Sequence, residues 1–202
     1  MATLSSAVTD LAPPSVSVTL AISPSTYKHG DSENAIPDLS VTATLDSSAP
    51  KPVTLQTWST VFNPGLALKR RNFTAQDISQ DPPTNIKLEI TKGPRRPGFQ
   101  HKKGSNDERY YVTLYPGQEV TVAKQPLQIV KRTKDDAPVF QAGHTYSLGL
   151  SEEGRKVQTW WWGTTDDVLD EVGGPPKDVS GIEGKGDIVL NMEEPVSFEI
   201  VE

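Results

Sequence analysis

The stretch RYYVTLYPGQEVTV at residues 109–122, followed after a charged connection by AGHTYSLGL at 142–150, decides the fold class. Apolar and polar residues alternate along both segments, and a turn that contains glycine sets each of them off. Successive side chains of a β-strand point to opposite faces, so this alternation is typical of strands that bury one face. We therefore predict an all-β protein, an immunoglobulin-like antiparallel β-sandwich.

The same alternation recurs along the rest of the chain and predicts about nine strands in total. Turn residues separate the segments at the spacing typical of β-sandwiches. The further strand segments are 15–22, 38–46, 52–58, 85–90, 156–162, 187–190 and 196–200. One short helix is predicted over TDDVLDEV at 165–172, with Thr165 as its N-cap and negative charge in its first turn.

The chain of 202 residues suits one large β domain. We predict a single sandwich domain at 14–202 behind a flexible N-terminus at 1–13. The loop GPRRPGFQHKKGSNDER at 93–109 is rich in glycine, proline and charge, and it holds almost no apolar residue. That composition predicts a mobile charged loop.

Cysteine is absent from the sequence, which excludes a disulfide framework, a thiol nucleophile and a cysteine-ligated zinc site. The first twenty residues show neither the basic region and apolar run of a secretory signal nor a membrane span. A cytoplasmic protein without a membrane partner is therefore the expectation.

Charge is unevenly distributed behind the net charge of −6. Residues 93–134 carry nine Lys and Arg against three Asp and Glu, whereas residues 135–202 carry four against fifteen. Such blocks need not form patches in a sandwich, because strands distant in sequence interleave. The overall acidity, and the absence of exposed aromatic residues interleaved with the basic ones, argue against a nucleic-acid partner.

The consecutive residues Trp160, Trp161 and Trp162 are the one unusual chemical feature. If alternation runs on from Lys156, Trp161 faces the core, and Trp160 and Trp162 share the opposite face with polar neighbours. Two exposed indoles on one face would form a flat platform for sugar rings, aromatic ligands or a partner's side chain. The alternative is that another segment of the chain covers both rings.

The acidic residues Asp166, Asp167, Asp170 and Glu171 follow the tryptophans directly. They lack the glycine and the downstream bidentate glutamate of a calcium-binding EF-hand loop, so helix charge explains them better than a metal does. Histidine is scarce, and the sequence contains no HExxH motif for zinc. We predict neither a metal nor a cofactor, and keep His144, which opens a strand, as a candidate site residue.

The segments DLSVTATL, PVTLQTW, YVTLYPGQEVTV and AGHTYSLGL resemble the immunoglobulin-like domain that precedes the catalytic domain in fungal deuterolysin-type metalloproteases. They also resemble stand-alone fungal proteins that end in a tryptophan-rich strand. The resemblance covers residues 15–164 and implies a fold, not an activity, because the cysteines and the HExxH helix of the protease are missing. The turn LYPGQ at 114–118 is similar to one in small intracellular proteinase-inhibitor sandwiches.

Three functions remain open. The leading hypothesis is a non-catalytic binding or protein-interaction module that uses Trp160 and Trp162, with Asp166, Asp167 and His144 as further contacts to an unknown protein, small-molecule or glycan ligand. One alternative is a small cofactor-free enzyme of isomerase or cyclase type, with His144 or Asp166 as acid or base in a pocket at one end of the sandwich. The other is an intracellular protease inhibitor whose mobile charged loop inserts into the protease.

Overall fold

The computed structural model describes residues 11–28, 37–88, 96, 98–127 and 139–201, and it confirms the all-β class. The described residues contain two one-turn helices, α1 (Pro64–Ala67) and α2 (Thr165–Val168). Their strands are β1 (Val16–Ser23), β2 (Thr26–Lys28), β3 (Asp38–Leu45), β4 (Val53–Gln56), β5 (Phe73–Asp77), β6 (Thr84–Ile86), β7 (Tyr111–Leu114), β8 (Glu119–Pro126), β9 (Thr145–Leu150), β10 (Lys156–Val157), β11 (Trp160–Trp162), β12 (Ile188–Asn191) and β13 (Val196–Val201).

These strands form three sheets in the described part of the chain. The first has the order β10-β12-β1-β3-β8, the second β11-β4-β7 and the third β2-β13-β9-β5-β6. Most neighbours are antiparallel, as the sequence predicts, but β1 pairs with β12 and β2 pairs with β13 in parallel. The sheets are therefore mixed, and the immunoglobulin-like type stays a prediction.

Strand β1 shows why alternation predicts the fold. Its eight residues alternate strictly between buried and exposed, and its whole length pairs with β3 from Val16 opposite Leu45 to Ser23 opposite Asp38. The apolar side chains of both strands thus enter one face of the first sheet. There they meet the inward residues of the other two sheets in one continuous main core.

The second sheet is buried on both faces. In β4, Val53, Thr54 and Leu55 all have 0% exposure. Val53 and Leu55 enter the main core, whereas Thr54 points the other way and donates its hydroxyl to the Gly163 carbonyl at 2.9 Å. A second, smaller core made of Tyr111, Trp161, Val168 and Leu169 adjoins this sheet.

Two predicted domain features fall partly outside the described residues. The N-terminus at 1–13 is described only from Leu11, which packs against the main core. The loop at 93–109 is described at 96 and 98–109, where it is tied to the body of the protein by the contacts given below. None of the helices in the described ranges has the length and apolarity needed to cross a bilayer.

Candidate functional site

The predicted indole platform is wrong, because all three tryptophans of β11 are buried. Their exposed fractions are 1% for Trp160, 2% for Trp161 and 3% for Trp162. Strand β10 ends at Val157 and the chain bends at Thr159 before β11 begins, so the alternation of faces does not continue from one strand to the other. Trp160 and Trp162 consequently enter the main core, where their rings meet edge to face at 5.4 Å.

Trp161 lies on the opposite face, in the second core beneath α2. Its ring centroid is 5.4 Å from that of His101 and 5.9 Å from that of Tyr111. Its indole N–H has no hydrogen-bond partner among the described residues. The three tryptophans therefore hold two cores together across one sheet, a structural role.

The predicted site residue Asp167 is a helix-capping group. Its carboxylate accepts hydrogen bonds from the Thr164 backbone N–H at 2.8 Å and from the Thr164 hydroxyl at 2.9 Å. The first of these bonds belongs to a capping box, so the N-cap of α2 is Thr164 and not the predicted Thr165.

The other predicted acidic residue, Asp166, is an ion-pair partner. The Lys103 ammonium lies 2.8 Å from the Asp166 carboxylate and 2.6 Å from that of Glu171. Hydrogen bonds from Lys103 lower the pKa of both carboxyls, and the two carboxylates raise the pKa of Lys103. In the part of the chain that the structure describes, no three His, Cys, Asp or Glu side chains are grouped to hold a metal ion.

His144 forms a pair with Asp77, at the start of β9 and the end of β5. Its Nδ1 lies 2.6 Å from Asp77 Oδ2, and the Ser79 backbone N–H donates to Asp77 Oδ1 at 2.9 Å. Burial raises the pKa of Asp77, but the hydrogen bonds from Ser79 and His144 outweigh burial and lower it. Asp77 is therefore ionised at neutral pH, and the His144 Nδ1–H donates to it.

The five predicted site residues are thus not brought together. Trp160 and Trp162 are in the main core, Asp166 and Asp167 are on α2, and His144 belongs to the third sheet. A surface cavity of about 160 Å³ is lined by Gly65, Lys69, Gln125 and Pro126, and none of the five contributes to it.

A site that the sequence did not predict lies where β4 ends and β7 begins. Trp58, Phe99 and Tyr110, which we call the aromatic cage, are half-buried and pack with their rings at steep angles. Ring centroids are 4.8 Å apart for Trp58 and Tyr110, and 6.0 Å apart for Trp58 and Phe99. The rings therefore form a wedge rather than a stack.

The guanidinium of Arg96 fills this wedge. Its Cζ lies 4.4 Å from the Trp58 ring centroid and 4.3 Å from the Phe99 centroid. The distance to the Tyr110 centroid is 5.3 Å. All three distances are within the range of cation–π attraction.

A buried carboxylate completes the site. Asp107 is 6% exposed, and its Oδ1 accepts a hydrogen bond from the Arg96 guanidinium. Its Oδ2 accepts the Gln100 backbone N–H at 2.9 Å, which fixes the orientation of the carboxylate. Burial raises the pKa of the neighbouring Tyr111 phenol above its ordinary value of 10.0, although a Gln56 hydrogen bond and the charge of Arg96 lower it.

Strand pairing positions the aromatic cage. Gln56 of β4 lies opposite Tyr111 of β7, so the residues just beyond them meet at the sheet end. There the Thr57 backbone N–H and hydroxyl both donate to the Tyr110 carbonyl, at 2.7 Å and 3.1 Å. This holds Trp58 against Tyr110, whereas Phe99 and Arg96 arrive from the charged loop.

The sequence carries one weak signal of this site. Phe99 is the one aromatic residue of the loop at 93–109, and an aromatic side chain among charges is a candidate for contact with a cation. Trp58 is the last residue of one predicted strand segment, and Tyr110 is the second residue of another. Nothing in the linear spacing places the three together, so the site emerges only from the fold.

Comparison of the chain with protein-family models, with curated proteins and with solved structures finds no match in any of the three. Function therefore has to be inferred from the geometry of the chain's own residues.

Proposed function

We propose that the protein is a non-catalytic binding module, and that its ligand is a positively charged side chain of a partner protein received by the aromatic cage. The observation that supports this is a cation already held among three half-buried rings above a buried carboxylate. The binding character is the one expected from the sequence, but the surface is a different one from the predicted platform at Trp160 and Trp162.

The chemistry of the aromatic cage selects for cations. The faces of aromatic rings carry partial negative charge, and the attraction for a cation reaches about 2 kcal/mol where water is excluded. The Asp107 carboxylate adds a full negative charge at the base of the wedge, and a charge-assisted hydrogen bond is about twice as strong as a neutral one. An anionic or neutral ligand in the wedge would leave that buried carboxylate without a cation.

The position of the aromatic cage suits a protein partner. It lies at the end of a sheet, beside the exposed Arg109, whose guanidinium is 4.8 Å from the Tyr110 centroid. Interface hot spots are rich in Trp, Tyr and Arg, the residue types gathered here. Partly exposed rings on a rigid sheet end offer an anchor point that costs little side-chain entropy.

The test is binding of short peptides that carry arginine, lysine or trimethyllysine, followed by ¹⁹F NMR of protein labelled with 5-fluorotryptophan. Trp58 is half-buried and the other three tryptophans are buried, so its resonance reports on the aromatic cage. We expect a saturable shift of the Trp58 signal with cationic peptides and none with a glutamate peptide.

Phe99→Ala removes one wall. In an Arg96→Ala background, where no cation of the chain itself uses that wall, it should weaken peptide binding at least ten-fold, because one cation–π contact is lost. Tyr115→Ala is the matched control, since Tyr115 is 42% exposed and lies outside the aromatic cage. Absence of any cation-dependent shift, or binding to Arg96→Ala that the added Phe99→Ala leaves unchanged, contradicts the proposed function.

A further inference from the structure

We infer that Arg96 is a built-in competitor: its guanidinium occupies the aromatic cage in place of the ligand, and a partner's arginine side chain displaces it. This inference rests on the proposed function and names the ligand and the regulation of that same site. It makes the aromatic cage a self-blocked arginine receptor.

The shape of the aromatic cage favours a planar cation. Trp58 and Phe99 are inclined at 63°, and the Arg96 Cζ lies within 4.4 Å of both centroids. A guanidinium is flat and can lie against a ring while its edge donates hydrogen bonds. An ammonium is compact and strongly hydrated, so it would leave part of the wedge unfilled.

The hydrogen bonding of Asp107 prepares the site for a cation. One carboxylate oxygen accepts the backbone N–H of Gln100, and the other faces the guanidinium. The receptor oxygen is therefore held in place by the main chain before any ligand arrives. A ligand arginine would inherit the bond that Arg96 gives up, so no buried charge is left unpaired after the exchange.

The exchange is possible because Arg96 lies in a segment that is neither strand nor helix. Its guanidinium contacts the aromatic cage and Asp107, and these are the contacts that an incoming arginine would reproduce. A side chain tethered nearby acts as a competitor at an effective concentration on the order of 1 mM. Only a ligand that brings further contacts to the surrounding surface would then bind tightly.

The experiment compares the wild type with Arg96→Ala, using an arginine peptide and the Trp58 ¹⁹F signal. We expect the variant to bind at least ten-fold more tightly, because the ligand no longer has to displace a competitor. Arg96→Lys is the second variant, and its affinity should fall between the two, since an ammonium competes less well. Lys51→Ala, which removes an exposed cation beyond the other end of β4, should bind like the wild type.

Thermal unfolding supplies a measurement that does not depend on a peptide. Arg96→Ala leaves the Asp107 carboxylate without a cation. Ethylguanidinium added to the solution should take the place of the missing guanidinium. At ten times its dissociation constant we expect a rise in Tm of about 3 °C for Arg96→Ala and no rise for the wild type or Lys51→Ala.

The outcomes separate the two proposals. Equal affinities of wild type and Arg96→Ala overturn the inference about Arg96. The inference is also overturned if Arg96→Ala binds the peptide and the wild type does not, even at 100-fold higher peptide concentration. In the first case the proposed function stands. In the second it fails as well, because the wild type then binds no cationic peptide and Arg96 is a fixed part of the fold. Binding to none of the variants, together with no effect of ethylguanidinium on Tm, overturns the proposed function itself.

Discussion

At the scale of single residues, Gly184 is the position that the tryptophan strand constrains most. Its backbone N–H donates to the Trp160 carbonyl at 2.9 Å, and a Cβ built on it would lie 2.1 Å from Cε2 of the Trp160 ring. The indole is 1% exposed and its N–H donates to the Gly186 carbonyl at 2.8 Å, so the ring has no room to retreat. The main core therefore requires glycine here.

We expect Gly184→Ala to lower the free energy of unfolding by about 1–3 kcal/mol, the usual cost of overpacking a core. Urea unfolding followed by fluorescence measures it. Gly181→Ala is the matched control, because a Cβ there meets nothing within 4 Å and its φ is not in the left-handed region. A cost for Gly184→Ala no larger than that for Gly181→Ala would show that the ring can move.

At the scale of elements, the pair of Asp77 and His144 links the end of β5 to the start of β9. The two strands are antiparallel neighbours, with Asp77 opposite Tyr146. The pKa of Asp77 is lowered below its ordinary value of 3.8 by hydrogen bonds that outweigh burial, so the folded state prefers the ionised carboxyl. The stability that this provides is present above pH 3.8 and is lost as pH falls through the lower folded-state pKa.

Asp77→Asn should therefore destabilise the protein by about 1.5–3 kcal/mol at neutral pH, the contribution of hydrogen bonds to a charged group. The difference from wild type should narrow as the pH falls below 3.8. Urea unfolding between neutral and acidic pH measures both effects. Asp187→Asn, at an exposed aspartate, controls for the change in net charge. A difference that stays constant with pH would mean that ionisation of Asp77 contributes nothing.

Alternation predicts those elements that bury one face, and it fails where that condition is not met. β1, β3 and β12 alternate in burial and were predicted. β5 was missed, because its inward residues are Phe73, Ala75 and Asp77, of which only the first is large and apolar. The tryptophan segment was misassigned, because one bend changes the face of every residue after it.

The aromatic cage could not be predicted for a different reason. Its rings and Arg96 come from the end of a strand, the start of another and a charged loop. Periodicity assigns faces within a strand, whereas this site depends on which strand ends are neighbours. Only the register of β4 against β7 carries that information.

At the scale of the whole molecule, parts of the basic and the acidic block, which are separate in the sequence, lie next to each other in the fold. Lys103, from the basic block, pairs with Asp166 and Glu171 of the acidic block. The backbones also meet, since the Lys103 N–H donates to the Asp170 carbonyl at 2.9 Å and the Asp170 N–H to the His101 carbonyl at 2.8 Å. The described part of the charged loop is thereby fastened to the segment that follows the tryptophans.

Lys103→Glu should loosen that attachment, because it places a third carboxylate beside Asp166 and Glu171. We expect faster hydrogen exchange at the backbone amides of residues 103 and 170. Lys102→Glu makes the same change of charge at an exposed neighbour and should leave both amides protected. Raising the salt concentration from about 0.1 M to about 1 M shortens the screening length from about 10 Å to about 3 Å, so the effect of Lys103→Glu should shrink. Equal exchange in the two variants, or an effect insensitive to salt, would show that the backbone bonds hold the loop without the ion pairs.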